Sequence, residues 1–304
     1  MSSLSAITVG NFDGVHQGHA ALVHAARKRV GENGHVKVLS FDPHPISILR
    51  PEGTPPRLSR FDQRSQWLKD LGADEVERLV PDPEFLHRSP QDFVKWLIKN
   101  HKPGIVVEGP DFRFGKSRKG TVETLQAMEA QGGYETIVID PVEMALSDGQ
   151  IVRVSSTMVR WLIAHGRVRD ARHLLGHPYE LSGEVVSGDR RGRTIGVPTA
   201  NLDHGDLLLP SDGVYAGQGR LPDGSVFPAA ISVGRKPTFD QSTRLCEAHL
   251  LGYDGPFDNY GWTLKIEFRE WIRDQVTFSG VDALVDQLKR DIESVRSMNV
   301  LMTS

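Results

Sequence analysis

The stretch GNFDGVHQGH, residues 10–19, decides the fold of the first half of this chain. It follows an apolar run at residues 6–9, which predicts a strand. It precedes residues 18–30, whose apolar side chains recur on one face of a predicted helix. Residues 36–41 predict the next strand. A strand, a helix and a strand of these lengths form a βαβ unit, which implies a parallel sheet.

The same alternation of apolar runs and helical segments continues to about residue 175. Further strands are predicted at 76–80, 105–107 and 136–139. Ser89 followed by Pro90 is typical of a helix start, and Thr121 and Ser156 are candidate caps for two more helices. We therefore predict a doubly wound α/β domain over residues 1–176.

Beyond residue 176 the sequence changes to short extended segments separated by Gly, Pro and Asp. This spacing predicts an antiparallel β-barrel or sandwich over residues 177–304. One amphipathic helix follows at about 281–295. The extended segments are 184–186, 214–217, 226–232, 245–251 and 264–268.

Composition narrows the class of protein. The chain has 304 residues, 38% hydrophobic and 25% charged, with a net charge of -3, so no basic field recruits nucleic acid. Cys246 is the single cysteine, which excludes an internal disulfide and fits a reducing cytosol. The start resembles no signal peptide, and no apolar run reaches the ~20 residues that span a bilayer. We expect a cytoplasmic protein with no membrane partner.

Residues 10–19, the histidine turn, contain the residue types of a phosphate site. Gly10, Gly14 and Gly18 allow backbone to approach phosphate oxygens, and the following helix presents unpaired N–H groups to an anion. His16 and His19 can both donate hydrogen bonds to charge that develops when an α-phosphorus is attacked. The alternative is a glycine-rich turn with two surface histidines.

This H-x-G-H turn resembles the nucleotidyltransferase superfamily. Three further segments are similar to the FMN adenylyltransferase module of bacterial bifunctional riboflavin kinase/FAD synthetases: FDPHP at 41–45, GPDFRFG at 109–115 with Arg118, and VSSTMVR at 154–160. The resemblance implies that His16 and His19 are catalytic. It also implies a nucleotide site formed by Gly10, Asn11, Phe12, Asp13, Gly14, Gly18, Asp111, Arg118, Ser155, Ser156, Thr157 and Arg160. Met158 departs from the family, which usually has Arg there.

The stretch GDRRGRTIGVPTANL, residues 188–202, is the most informative part of the second half. Its glycines and arginines suit the phosphates of a nucleotide, and we assign Gly188, Arg191, Gly192 and Arg193 to nucleotide binding. Thr199 and Asn201 project from one face of an extended segment, and their oxygens are ligands that Mg²⁺ accepts together with ATP phosphates. The alternative is a polar turn.

Residues 188–202 resemble the signature of riboflavin kinase, as do PSDGVYA at 210–216, GRKPTF at 234–239 and EAHL at 247–250. The resemblance implies that Glu247 is the base for the ribityl 5′-hydroxyl. The chain departs from the family at Ser232, where Asn is usual, and in the turn at 257–261.

We therefore expect a bifunctional enzyme that phosphorylates riboflavin to FMN and adenylylates FMN to FAD. Its substrates would be riboflavin, FMN and ATP, its cofactor Mg²⁺, and its state a monomer or weak homo-oligomer. Two alternatives remain open. One is a nucleotidyltransferase for another substrate, which the second half disfavours. The other is a non-catalytic flavin-binding protein, which the retention of His16, His19, Thr199, Asn201 and Glu247 disfavours.

Overall fold

A computed structural model describes residues 4–188, 191–235, 244–256 and 259–302. The chain divides into two compact units. The N-terminal unit comprises Met1–Pro55 and Ser59–Ser156, and the C-terminal unit comprises Pro56–Leu58 and Thr157–Ser304. Over the described residues, none of the helices has both the length and the hydropathy needed to cross a membrane.

A five-stranded parallel sheet forms the centre of the N-terminal unit. The strands are β1 Ser5–Gly10, β2 His35–Phe41, β3 Glu75–Leu79, β4 Ile105–Glu108 and β5 Glu135–Val138, followed by a separate hairpin of β6 Glu143–Ala145 and β7 Ile151–Arg153. The spatial order of the sheet is β3-β2-β1-β4-β5, and the order reverses between β1 and β4. This confirms the doubly wound prediction, and it puts the ligand-binding crevice at the β1/β4 switch point.

Helices cover both faces of this sheet because alternate strand residues point to opposite sides. The helices of this unit are α1 Gln17–Val30, α2 Pro45–Leu49, α3 Phe61–Asp70, α4 Pro83–Leu86, α5 Pro90–His101, α6 Val122–Ala127 and α7 Glu129–Gly132. Ala6 of β1 packs with side chains of α1 and α3, while the neighbouring Ile7 packs with side chains of α5 and α6.

Local signals set several helix starts. Ser89 caps α5 by accepting a hydrogen bond from the Asp92 N–H, and Pro90 is its first residue, as predicted. The helix expected after Ser156 instead begins at Ser156 itself, as α8 Ser156–Ala164. The Ser156 hydroxyl donates to the backbone oxygen of Asp13, 3.0 Å away, which ties the start of α8 to the histidine turn.

A closed barrel forms the C-terminal unit, which decides between the two predicted architectures. The strands are β8 Tyr179–Val186, β9 Ala200–Asp203, β10 Gly213–Arg220, β11 Val226–Arg235, β12 Arg244–Leu250 and β13 Thr263–Arg273, and the helices are α9 Val168–Leu175, α10 Arg191–Thr194 and α11 Val281–Met302. The order around the barrel is β10-β11-β12-β9-β8-β13. Helix α11 packs on β10 and β11. Arg273 on β13 forms an ion pair with the buried Asp291 of α11 at 2.7 Å.

The contact division falls earlier than the domain boundary expected at residue 176. Helix α9 packs on β8 and β13 of the barrel, and its side chains Val168, Leu174 and Leu175 are buried. Residues 157–176 therefore group with the barrel in this structure.

Candidate active sites

The histidine turn lies at the carboxyl end of β1, beside the switch point. Phe12, Gly14 and Val15 all have positive φ, at 50°, 80° and 42°. A β-branched residue such as Val15 rarely adopts this conformation, and backbone strain of this kind concentrates at functional sites. The turn is therefore held in its shape by its surroundings.

Buried hydrogen bonds provide that support. The carboxylate of Asp13 accepts from both the N–H and the hydroxyl of Ser59 at 3.0 Å, and the Ser59 hydroxyl accepts from the Gly14 N–H. Asp13 and Phe12 are only 4% and 1% exposed. Of the residues predicted to bind nucleotide, these two can therefore offer backbone atoms but not side chains.

The two histidines of the turn form a stack at the start of α1. Their ring centroids are 3.6 Å apart with an interplanar angle of 14°, and Phe12 packs against His19 at 5.0 Å. His16 is the N-cap residue, and its Nδ1 accepts a hydrogen bond from the His19 N–H at 3.3 Å. In the neutral ring the proton is therefore on Nε2, where it can be donated. A Cβ on Gly18 would lie 3.1 Å from the His16 ring, so this position favours glycine.

A buried carboxyl, Glu108, lies at the end of β4 and did not emerge from the sequence. It is 2% exposed, and its Oε1 accepts a hydrogen bond from the Val9 N–H at 2.7 Å. Burial raises the pKa of Glu108 well above its usual range, against the opposing effect of the Val9 N–H. The Glu108 carboxyl thus takes the place of a backbone oxygen as the acceptor for the Val9 N–H, at the point where β4 diverges from β1. Its only signal in the sequence is an acid that ends an apolar strand.

A cavity of about 550 Å³ opens beside the histidine turn. Gly10 and Asn11 line it, and Asp111 and Arg118 extend the lining from the loop after β4. The Asp111 carboxylate forms an ion pair with Arg153 of β7. The remaining lining includes the aromatic side chains Phe41, Phe85, Phe93, Phe112 and Phe114 and the basic side chains Arg50, Arg113 and Lys116. An apolar cavity with a few charged groups is typical of a small-molecule site.

His44 from the FDPHP segment also lines this cavity. Its Nδ1 accepts from the Ile46 N–H at 3.1 Å, so the neutral ring carries its proton on Nε2. Nε2 lies 3.1 Å from the carboxamide of Asn11. The Asn11 atom at this distance is Nδ2, and turning the carboxamide by 180° would bring its oxygen to accept from the Nε2–H. This contact joins two segments that the sequence motifs presented separately.

The segment that bears His44 is anchored by a buried ion pair. Arg64 of α3 donates to Asp42 at 2.9 Å and to the backbone oxygen of Phe41 at 2.8 Å. Both side chains are almost completely buried. Removing Asp42 would leave the buried Arg64 guanidinium without its carboxylate, which is strongly destabilising.

The third predicted nucleotide segment is the start of α8. Ser155 precedes the helix, Ser156 is tied to Asp13, and Thr157 and Arg160 follow along the same helix. The Nε of Arg160 donates to the backbone oxygen of Pro56 at 2.8 Å.

In the C-terminal unit, a smaller cavity of about 40 Å³ brings together Gly188, Gly192, Arg193, Thr199 and Asn201. A Cβ on Gly188 would come within 2.2 Å of the Asn201 side chain, and one on Gly192 within 2.2 Å of the Val197 oxygen. Glycine is thus required at position 192, where the contact is to backbone, whereas a side chain at position 188 would displace the Asn201 carboxamide. The side chain of Arg191 lies outside the described residues. Tyr253, Tyr260 and Trp262 also line the cavity, which the sequence did not indicate.

Glu247 lies on the central strand of three at this site. It is directly opposite Asn201 on β9 and Ser232 on β11. Opposed residues of antiparallel strands share a face, so these three side chains form one polar row.

His249 binds the Pro198 oxygen at 2.8 Å, which supports a structural role. Burial raises the pKa of the Cys246 thiol to about 12, so this cysteine packs rather than reacts. Most of the GRKPTF segment lies outside the described residues, as do residues 257–258.

The chain joins a parallel α/β unit, with a histidine pair at its switch point, to a barrel with a glycine- and arginine-rich loop. This combination defines a two-domain ATP-dependent transferase. The family comparisons agree with this class. The sequence model of FAD synthetase matches residues 2–158, and that of riboflavin kinase matches residues 175–299. The chain therefore belongs to the family of bifunctional riboflavin kinase/FMN adenylyltransferases, enzymes of FMN and FAD synthesis.

Individual relatives match over most of the chain. The bifunctional riboflavin kinase/FMN adenylyltransferase of Escherichia coli K12 is 36% identical over 294 residues, covering 94% of this chain and 90% of its own length. That of Haemophilus influenzae is 34% identical over 294 residues, covering 96% and 93%. A crystal structure described as a macrolide-efflux protein from Streptococcus pneumoniae is 33% identical, with a TM-score of 0.84, and covers 97% of this chain and 95% of that one. The similarity to this structure is one of fold.

Proposed function

We propose that residues 1–176 adenylylate FMN and residues 177–304 phosphorylate riboflavin, each with its own ATP site. The observation that carries the first assignment is the stacked pair His16 and His19 at the N-terminus of α1. The chemistry is displacement at phosphorus. A phosphate oxygen of FMN attacks the α-phosphorus of ATP, the bond to the bridging oxygen breaks, and pyrophosphate leaves.

The histidines serve this step as hydrogen-bond donors. The Nε2–H of His16 and a ring N–H of His19 would donate to oxygens whose negative charge grows in the transition state. Backbone N–H groups at the start of α1 add donors to the same region. Arg118 and the start of α8 are assigned to the remaining phosphates, and the aromatic side chains of the 550 Å³ cavity to the flavin ring.

For the kinase step, Glu247 is assigned as the base. The ribityl 5′-oxygen attacks the γ-phosphorus, its proton passes to the Glu247 carboxylate, and ADP leaves. Gly188, Arg191, Gly192 and Arg193 would bind the nucleotide phosphates. The assignment is supported by the position of Glu247, one strand from Asn201.

Mg²⁺ fits the residues of the second site. The Thr199 hydroxyl and the Asn201 carboxamide oxygen are hard neutral donors at the same cavity, and ATP phosphates and water would complete an octahedral shell. When bound, the ion would offset phosphate charge during transfer. We expect the enzyme to work in the cytoplasm as a monomer or weak homo-oligomer, with riboflavin, FMN and ATP as its partners and without nucleic acid or membrane.

One incubation tests the proposal. The protein is mixed with riboflavin, ATP and Mg²⁺, and the flavins are separated by chromatography over time. FMN should appear first and FAD second, with pyrophosphate released with FAD. Unchanged riboflavin together with unchanged added FMN would refute both assignments.

A further inference from the structure

Gln275, just beyond the end of β13, places its carboxamide over β11. Its Nε2 donates to the Ser232 hydroxyl at 3.1 Å. A Cβ on Gly234 would lie 2.1 Å from the Gln275 Oε1 and 2.3 Å from its Nε2. The carboxamide therefore occupies the space that a side chain at position 234 would fill.

This location belongs to the polar row of the kinase site. Ser232 and Gly234 are two residues apart on one strand, so they face the same side of the sheet. Ser232 is directly opposite Glu247, which is in turn opposite Asn201. Opposed side chains have Cβ atoms about 4.5–5.5 Å apart. The Gln275 carboxamide thus lies at the Ser232 end of the row, on the side of Glu247 away from Asn201.

The chemistry of the group suits a polyol. A carboxamide offers two donor hydrogens and an acceptor oxygen. Among the described residues it makes a single side-chain hydrogen bond, to Ser232, which leaves Oε1 available, and the side chain is exposed. Gln275 thus brings a carboxamide to the Ser232 end of the polar row from the segment that follows β13.

We propose that Gln275 is a riboflavin-binding residue whose carboxamide hydrogen-bonds the ribityl hydroxyls next to the 5′-hydroxyl. This rests on the proposed role of Glu247. The ribityl chain would lie along the polar row, with its reacting end at Glu247 and its inner hydroxyls at Gln275. The residue would then orient the alcohol without accepting its proton.

Steady-state kinetics of the full chain tests the proposal. Gln275→Ala should raise the KM for riboflavin about threefold to tenfold, as expected for one lost hydrogen bond, with little change in kcat. Val276→Ala is the matched control, because Val276 is the next residue and is 56% exposed. It should leave KM unchanged. Conversion of added FMN to FAD should be equal in all variants.

A second substitution that restores KM distinguishes a role of the Gln275 carboxamide itself from a role in shaping the segment after β13. Ser232→Asn in the Gln275→Ala background should return KM to within about twofold of the parent, since Asn restores a carboxamide to the row. An unchanged KM in Gln275→Ala, or a failure of Ser232→Asn to restore it, overturns the proposal.

Lumiflavin, the flavin ring without a ribityl chain, locates the contact. Its inhibition constant should be the same in the parent and in Gln275→Ala, and an increase would place the contact on the ring and refute the ribityl assignment. Glu247→Gln reports separately on the base: if it retains kcat, the role of Glu247 fails, whatever the result at Gln275.

Discussion

Glu108→Gln should stabilise the protein above about pH 5, by an amount that grows with pH. Glu108 is 2% exposed, and burial raises its pKa well above its usual range despite the Val9 N–H. The folded state holds the Glu108 proton more tightly than the unfolded state does. The protonated carboxyl therefore contributes its full stability only below the pKa that Glu108 has in the unfolded chain. This contribution falls as pH rises towards the folded pKa, by at most about 1.4 kcal/mol per pH unit for one proton. Glutamine has no proton to lose, and its amide oxygen can still accept from Val9.

Urea unfolding of both proteins, followed by far-ultraviolet circular dichroism at pH 5, 6 and 7, measures this difference. The free energy of unfolding of Glu108→Gln relative to the parent should increase by up to about 1.4 kcal/mol at each step. Glu84→Gln is the control, since the Glu84 side chain is 90% exposed in the same unit. A pH-independent difference between Glu108→Gln and the parent would show that the carboxyl does not titrate as its burial requires.

Three further results are expected. His19→Ala should slow FAD formation from FMN by about 10²–10³ while riboflavin phosphorylation continues, and a joint collapse in a folded variant would contradict separate sites. Glu247→Gln should lower kcat for FMN formation by about 10²–10⁴ without affecting FAD formation, and full rescue by high Mg²⁺ would remove its role as base. A fragment starting at residue 157 should phosphorylate riboflavin and melt at least roughly 5 °C above one starting at 177, which lacks both α8 and α9; calorimetry giving equal Tm values would contradict this.

The sequence predicts the N-terminal sheet well because its signals are local. Apolar runs gave all five parallel strands, and Ser89 with Pro90 gave the start of α5. The hairpin of β6 and β7 was missed because its strands are three residues each and mostly exposed, so they show no alternation of apolar and polar residues.

The support of the histidine turn could not be predicted, because it is built from distant parts of the chain. Ser59 reaches Asp13 across 46 positions, and Glu108 reaches Val9 across 99. Neither contact has a spacing that marks it in advance. The motifs predict which residues carry the chemistry, whereas the side chains that hold those residues emerge only when the strands are placed side by side.

The sequence predicts the strands of the C-terminal unit but not their closure into a barrel. Its short segments were visible, but the choice between a barrel and a sandwich depends on whether the first and last strands pair. Tyr179 of β8 pairs with Phe268 of β13, and no local pattern encodes that closure. Gln275 was missed for a related reason, because its place beside Ser232 depends on where β13 ends.

The closure of the barrel by β13 also sets an order of events during synthesis. Strand β13 pairs with both β8 and β10, so the barrel cannot close until Arg273 has left the ribosome. The parallel sheet, by contrast, has all its strands once Val138 has emerged. Since domains generally fold as units and the N-terminal one first, a growing chain would acquire the adenylyltransferase fold well before the kinase fold. A chain cut short before β13 would be left able to use FMN but unable to make it.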